Sequence, residues 1–154
     1  MSIFAKSVAA AYFLTAFSLV SAQAPLTGCT RVKYQYHCDK VQLTELLKDA
    51  KFIAIESQPF NKVSETALEH LVRDLGKSVQ ADSPDLTFAL APADPDGIYI
   101  GPNDRELATL RVYSRSPQGH HGQLIWVETF IGQPDMQWLM VVRGTIQQFK
   151  SQFK

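Results

Sequence analysis

The sequence has no surplus of charge of either sign and only two cysteines, and its 154 residues contain no Gly-rich phosphate loop, nucleophile elbow, paired His-Glu helix motif or Cys-x-x-Cys. Each absence removes a class of function. Fifteen basic and fifteen acidic side chains leave nothing to neutralise a phosphate backbone, so nucleic acid is not an expected partner. No polybasic run is available for an anionic lipid surface. Without the motifs that hold phosphates, metals or acyl intermediates, the chain is read as leaning away from catalysis, and no cofactor is implied. No internal repeat or low-complexity tract is present.

What is there is the composition of a globular domain, with 45% apolar and 19% charged residues and nine Phe. The apolar content is concentrated first in Ser7–Ala22, an uncharged stretch that follows Lys6. A basic residue, an apolar run and small residues at cleavage spacing are the marks of an export signal. Val20-Ser21-Ala22 places cleavage before Gln23, and removal takes away Lys6 alone, leaving a net charge of −1. A second processing site competes with it. Leu26-Thr27-Gly28-Cys29 matches a bacterial lipobox, which would extend the signal to residue 28 and put a lipid on Cys29. The competing fate of Cys29 is a disulfide with Cys38, closing a short loop that contains Val32, Tyr34 and Tyr36. Acylation consumes the thiol, so the two fates exclude each other; the three residues between the apolar run and the lipobox favour the disulfide. The organisation is then a signal over 1–22, an N-terminal segment over 23–40 and one domain over 41–154, exported to the periplasm or beyond, with a lipid anchor as the alternative membrane tie.

Within the domain, Asp39 caps a helix over Val41–Ala50 with Leu43, Leu46, Leu47 and Ala50 at helical spacing. Lys51–Glu56 alternates as a strand. Asn61 or Ser64 opens a long helix whose stripe is Leu68, Leu71, Val72, Leu75 and Val79, ending near Gln80. Asp85–Leu90 is a strand with Leu86, Phe88 and Leu90 on one face. Residues 91–104 form a loop, with a short extended piece at Ile98–Ile100, and loops of that length usually have a task of their own. Glu106–Ser114 and Gln123–Ile131 form a hairpin about a tip at 115–122. Pro134 is placed near the start of a last helix carrying Trp138, Val142, Ile146, Phe149 and Phe153. The order α-β-α-β-β-β-α predicts an α+β two-layer sandwich: a mainly antiparallel sheet of four or five strands with two long helices. The first strand-helix-strand unit is right-handed if its strands are parallel neighbours.

Taken together, Cys29 after an export signal, Phe52–Ser57, a helix, Pro84-Asp85-Leu86, Leu124-Ile125-Trp126 and a closing helix ending in Phe make the chain resemble uncharacterised bacterial lipoproteins of the DUF4136 type. The resemblance covers most of residues 50–154. The chain departs from it in carrying Val127-Glu128 where the family commonly has Gly. It implies an envelope location and this fold, and no reaction.

Candidates for chemistry are few. His120 and His121 lie in a Gly-flanked turn, where adjacent side chains point apart and cannot easily chelate one ion; a metal or proton-transfer role competes with an exposed tip. His37, Cys38 and Asp39 offer a thiol, an imidazole and a carboxylate, but sequence neighbours rarely reach one another as a nucleophile and its base. Asp94, Asp96, Asn103 and Asp104 resemble a calcium loop without its closing Glu, and turn chemistry explains them. Across the hairpin, an exposed Arg111–Glu128 ion pair is expected, with Trp126 either covered by the last helix or in an outward patch with Tyr113 and Phe130. The expected function is a non-catalytic binding or structural role toward an envelope protein or small ligand. The alternative is a small metal-binding or hydrolytic enzyme using His120, His121 and the acidic loop.

Overall fold

The computed structural model describes residues 25–33, 35–93, 102–118 and 121–153. The elements are β1 (Thr30–Val32), β2 (Gln35–His37), α1 (Lys40–Asp49), β3 (Phe52–Ser57), α2 (Lys62–Asp74), β4 (Ser78–Val79), β5 (Leu86–Pro92), β6 (Arg105–Ser114), β7 (Leu124–Gly132) and α3 (Trp138–Gln152). Five strands form one sheet in the order β4-β3-β5-β6-β7, parallel across β4-β3-β5 and antiparallel across the longer β5-β6-β7 pairings. The expected α+β sandwich is therefore present, with a mixed sheet. The β3-α2-β5 unit joins two parallel neighbours. Among the described residues no helix is long and apolar enough to cross a membrane.

Local chemistry sets the helix starts. Asp39 accepts hydrogen bonds from the Val41 and Gln42 N–H groups, and Asn61 accepts from those of Val63 and Ser64, so both expected caps are in place. The ends differ from expectation at α2, which stops at Asp74 rather than near Gln80. Gly76 turns the chain with φ 72, a left-handed conformation that L side chains resist. Its N–H bonds to the Arg73 carbonyl and that of Lys77 to Val72, and the chain then leaves the helix to form the edge strand β4. Val79 consequently lies outside the stripe and is 42% exposed. Pro134 falls in the turn before α3, which begins four residues later at Trp138. The suggested extended piece at Ile98–Ile100 lies outside the described residues. Three strands were not expected at all, β1 and β2 of the N-terminal hairpin and β4.

One face of the sheet carries the core. Ile53, Leu86, Phe88, Leu90, Ala108, Leu110, Val112 and Ile125 meet Leu68, Leu71 and Val72 of α2, Val141, Val142 and Phe149 of α3, and Leu43 and Leu47 of α1, all buried. Phe88 and Phe149 meet edge to face at 5.6 Å. Gly144 lets α3 approach closely, because a Cβ there would stand 2.3 Å from the Phe130 ring.

Asp85 fixes the register of the parallel pair. Its carboxylate accepts from the backbone N–H of Lys51 at 2.8 Å and of Phe52 at 2.9 Å, while its own N–H donates to the Phe52 carbonyl at 2.8 Å. The Phe52 and Lys51 donors hold its carboxyl below the usual carboxylate range, against a smaller opposing effect of burial. A carboxylate so depressed stabilises the fold while ionised; the contribution is complete above the unfolded value of about 4 and is lost as pH falls through the lower folded value. Asp85→Ala is expected to cost about 1–2 kcal/mol at pH 7, the low end for charge-assisted bonds because the site is solvent-accessible. Urea melts of both proteins at pH 7 and at pH 2.5 should show the gap narrowing at the lower pH.

Candidate functional site

The second face of the sheet has no described helix over it, and the β6-β7 hairpin reaches back across it. Tyr113 pairs with Thr87, which pairs with Ala54, so these three form a row from β6 to β3. The His121 ring stacks on Tyr113 with centroids 4.1 Å apart and its Nε2 lies 2.7 Å from Glu56 Oε2. The imidazole thus bridges from β6 to β3 above Thr87, which is only 7% exposed despite lying on the uncovered face. Ala54, Glu56, Thr87, Arg115, Ser116 and His121 border a cavity of about 380 Å³ here. His121 therefore fastens the start of the last strand to the sheet. His120, Asp94 and Asp96 lie outside the described residues, while Asn103 and Asp104 are exposed in the turn before β6. Among the described residues no three His, Cys, Asp or Glu side chains gather to hold a metal ion.

The register corrects the expected Arg111–Glu128 pair. Arg111 lies opposite Val127, and Glu128 lies opposite Leu110. A bulge between Val112 and Tyr113 adds Ile125 to β7 and turns Trp126, Glu128 and Phe130 toward the helices, leaving Arg111 and Tyr113 on the other face. Trp126 meets Phe153 edge to face at 5.2 Å, so it is covered by the last helix. Glu128, only 6% exposed, accepts from Trp126 Nε1 at 3.1 Å and from Gln148 Nε2. Arg111 keeps a buried Nε with no hydrogen-bond partner among the described residues.

The largest described cavity is on the outer side of β7. Cys29 and Cys38 are joined in a disulfide, their Cα atoms 4.3 Å apart. The bridge ties the ends of the β1-β2 hairpin, in which Thr30 pairs with His37 and Val32 with Gln35, and Lys33 takes a left-handed φ of 56 in the turn. In this state Cys29 has no free thiol to acylate. His37, Cys38 and Asp39 form no nucleophilic set, since Cys38 is oxidised and Asp39 caps α1. The hairpin's root is anchored to β7. The Cys29 N–H donates to the Leu124 carbonyl at 2.9 Å. Gln123, with its amide turned to satisfy both groups, donates to the Leu26 carbonyl at 3.0 Å and accepts from the Gly28 N–H at 2.7 Å. Beyond this anchor the hairpin and β7 diverge around a space of about 950 Å³. Val32, Lys33, Tyr36 and His37 line one side, and Val127, Thr129 and Ile131 line the other. The sequence held the cysteine pair that builds this wall; it held no periodic signal for three-residue strands.

No protein-family model matches the sequence, and no curated protein does. Among solved structures, a PelC dodecamer from Paraburkholderia phytofirmans is similar at a TM-score of 0.38 and 8% identity, over 67% of this chain and 86% of that one.

Proposed function

We propose that the protein is exported and acts as a non-catalytic binding module of the cell envelope or its surroundings, engaging its partner at the cleft beside β7. The observation that carries this reading is the Cys29–Cys38 disulfide, which closes the hairpin forming one wall of the largest described cavity. A disulfide persists in an oxidising compartment, in agreement with the basic residue, apolar run and cleavage spacing of residues 1–22. The resemblance to DUF4136-type envelope proteins points the same way, with the disulfide form in place of a lipid on Cys29. The metal-binding or hydrolytic alternative has less support, because His121 is engaged by Glu56 and Tyr113.

A photo-crosslinking residue in place of Val32, which is 55% exposed at the cleft, tests the reading in the native host. An adduct with one envelope or secreted component is expected, lost when both cysteines become Ser. Recovery of no adduct would remove the binding role. The double Cys→Ser variant should also lose about 2–3 kcal/mol of hairpin stability, the loop-closure value for a bridge of this span. Hydrogen exchange should show that loss in residues 29–38, with protection of the main sheet unchanged.

A further inference from the structure

The tetrapeptide that matches a lipobox, Leu26-Thr27-Gly28-Cys29, is exposed or half-buried in the fold, yet its backbone is not free. A primary amide presents a donor and an acceptor side by side, as one residue of a strand does. Two glutamines use this to hold the segment from opposite edges. Gln42, in the first turn of α1 and with its amide turned to satisfy both groups, accepts from the Thr27 N–H at 2.9 Å and donates to the Thr27 carbonyl. Gln123 takes the Leu26 carbonyl and the Gly28 N–H, and the Cys29 N–H goes to the Leu124 carbonyl. Five backbone groups of the four residues are therefore engaged. Gly28 admits Gln123, because a Cβ there would stand 2.5 Å from Gln123 Nε2 and 2.9 Å from its Cγ. The cap of α1 fixes the other glutamine: Asp39, next to Cys38 of the disulfide, accepts from the Gln42 N–H at 3.1 Å.

We infer that Leu26–Cys29 is a lipid-attachment site that the folded domain closes, so that the Gln42–Gln123 clamp and the disulfide together decide between a released and an anchored protein. The inference rests on the export reading above and concerns what ties the chain to a membrane, not what the cleft binds. Enzymes that process a segment of chain hold it extended through its backbone, and here those groups are taken. The two fates of Cys29 use the same sulfur. In oxidation the Cys29 and Cys38 thiols each lose a proton, the sulfur–sulfur bond forms, and two electrons pass to the disulfide of a thiol oxidant, which becomes a dithiol. In acylation Cys29 Sγ bonds to the glyceryl carbon of a membrane phospholipid, that carbon's bond to the headgroup phosphate breaks, and the phosphorylated headgroup leaves with the thiol proton. The clamp acts on backbone groups, so it withholds the segment as soon as α1 and β7 are in place, before the bridge forms.

The test is the intact mass of full-length variants expressed in the native host. Cys38→Ser removes the bridge alone and should leave the chain mostly unacylated, because the clamp still holds. Gly28→Ala keeps a small residue before Cys29 but displaces Gln123; added to Cys38→Ser it should raise the fraction of diacylated chain beginning at Cys29 about tenfold or more, the effect of losing two backbone bonds. Gln42→Ala with Cys38→Ser leaves the tetrapeptide untouched and should do the same. Hydrogen exchange on the unmodified chains separates an open clamp from an unfolded domain. The Thr27 and Gly28 amides should lose protection while those of β5 and β6 keep theirs. A diacylated wild type, equal fractions with and without the clamp, no acylated chain from any variant, or a rise that follows loss of protection in β5 and β6 would each overturn the inference. The Val32 adduct reads the cleft separately: its absence removes the binding reading and leaves this inference standing.

Discussion

Phe149→Ala is expected to lower the unfolding free energy by about 3–5 kcal/mol, more than any other single truncation in α3, while Val79→Ala changes it by less than about 0.5 kcal/mol. Phe149 is fully buried, meets Phe88 edge to face at 5.6 Å and lies 4.8 Å from Phe153, so its removal opens a cavity where sheet and helix layers join. Phe88 on the sheet and Phe153 at the end of α3 flank the ring, and both are held by the rest of the core, so they cannot simply move to fill the space. Val79 has the same helical periodicity in sequence but stands on the β4 edge, where truncation removes little buried area. Denaturant unfolding of the two variants measures both values. Similar losses from the two would show that α2 runs on through residue 79 and that the helix end at Gly76 is misplaced.

Glu128→Ala is expected to cost about 2–4 kcal/mol, because it leaves the Trp126 indole N–H and the Gln148 amide without their acceptor in a closed site. Glu128→Gln should recover part of the loss, since one amide oxygen cannot serve both donors. The effects of Arg111→Ala and Glu128→Ala should add in the double variant to within about 0.5 kcal/mol, as for residues that share no interaction. A coupling above about 1 kcal/mol would restore the cross-strand pair and contradict the bulged register. Trp126 fluorescence provides a second reading, because its ring is held between the Glu128 bond and Phe153.

These two experiments also mark where the sequence was legible. The helix stripes apart from Val79, the caps at Asp39 and Asn61, and the inward sets Leu86, Phe88, Leu90 and Ala108, Leu110, Val112 follow from local periodicity and capping chemistry and are found. The facing of Trp126 and Glu128 was not legible, because one extra residue at Ile125 inverts the alternation of everything after it, and a bulge has no local signature here. The end of α2 was readable in principle from Gly76, but the apolar spacing of Leu75 and Val79 carried past it. The cleft was legible only in its covalent closure. Cys29 and Cys38 announced a possible bridge, whereas the position of that bridge beside β7 depends on Gln123 and Leu124, almost a hundred residues away along the chain. His121 was singled out as a possible ligand. Its partners Glu56 and Tyr113 come from strands that only the folded sheet brings together, and they give it a fastening role.

The proposed binding role depends most directly on the state of Cys29, which the intact mass of the protein isolated unreduced from its native host measures. The mass expected is that of an unmodified chain beginning at Gln23, less two hydrogens for the Cys29–Cys38 bridge. A diacylated or triacylated chain beginning at Cys29 would contradict it, opening the hairpin and removing the wall on which the proposed binding cleft depends.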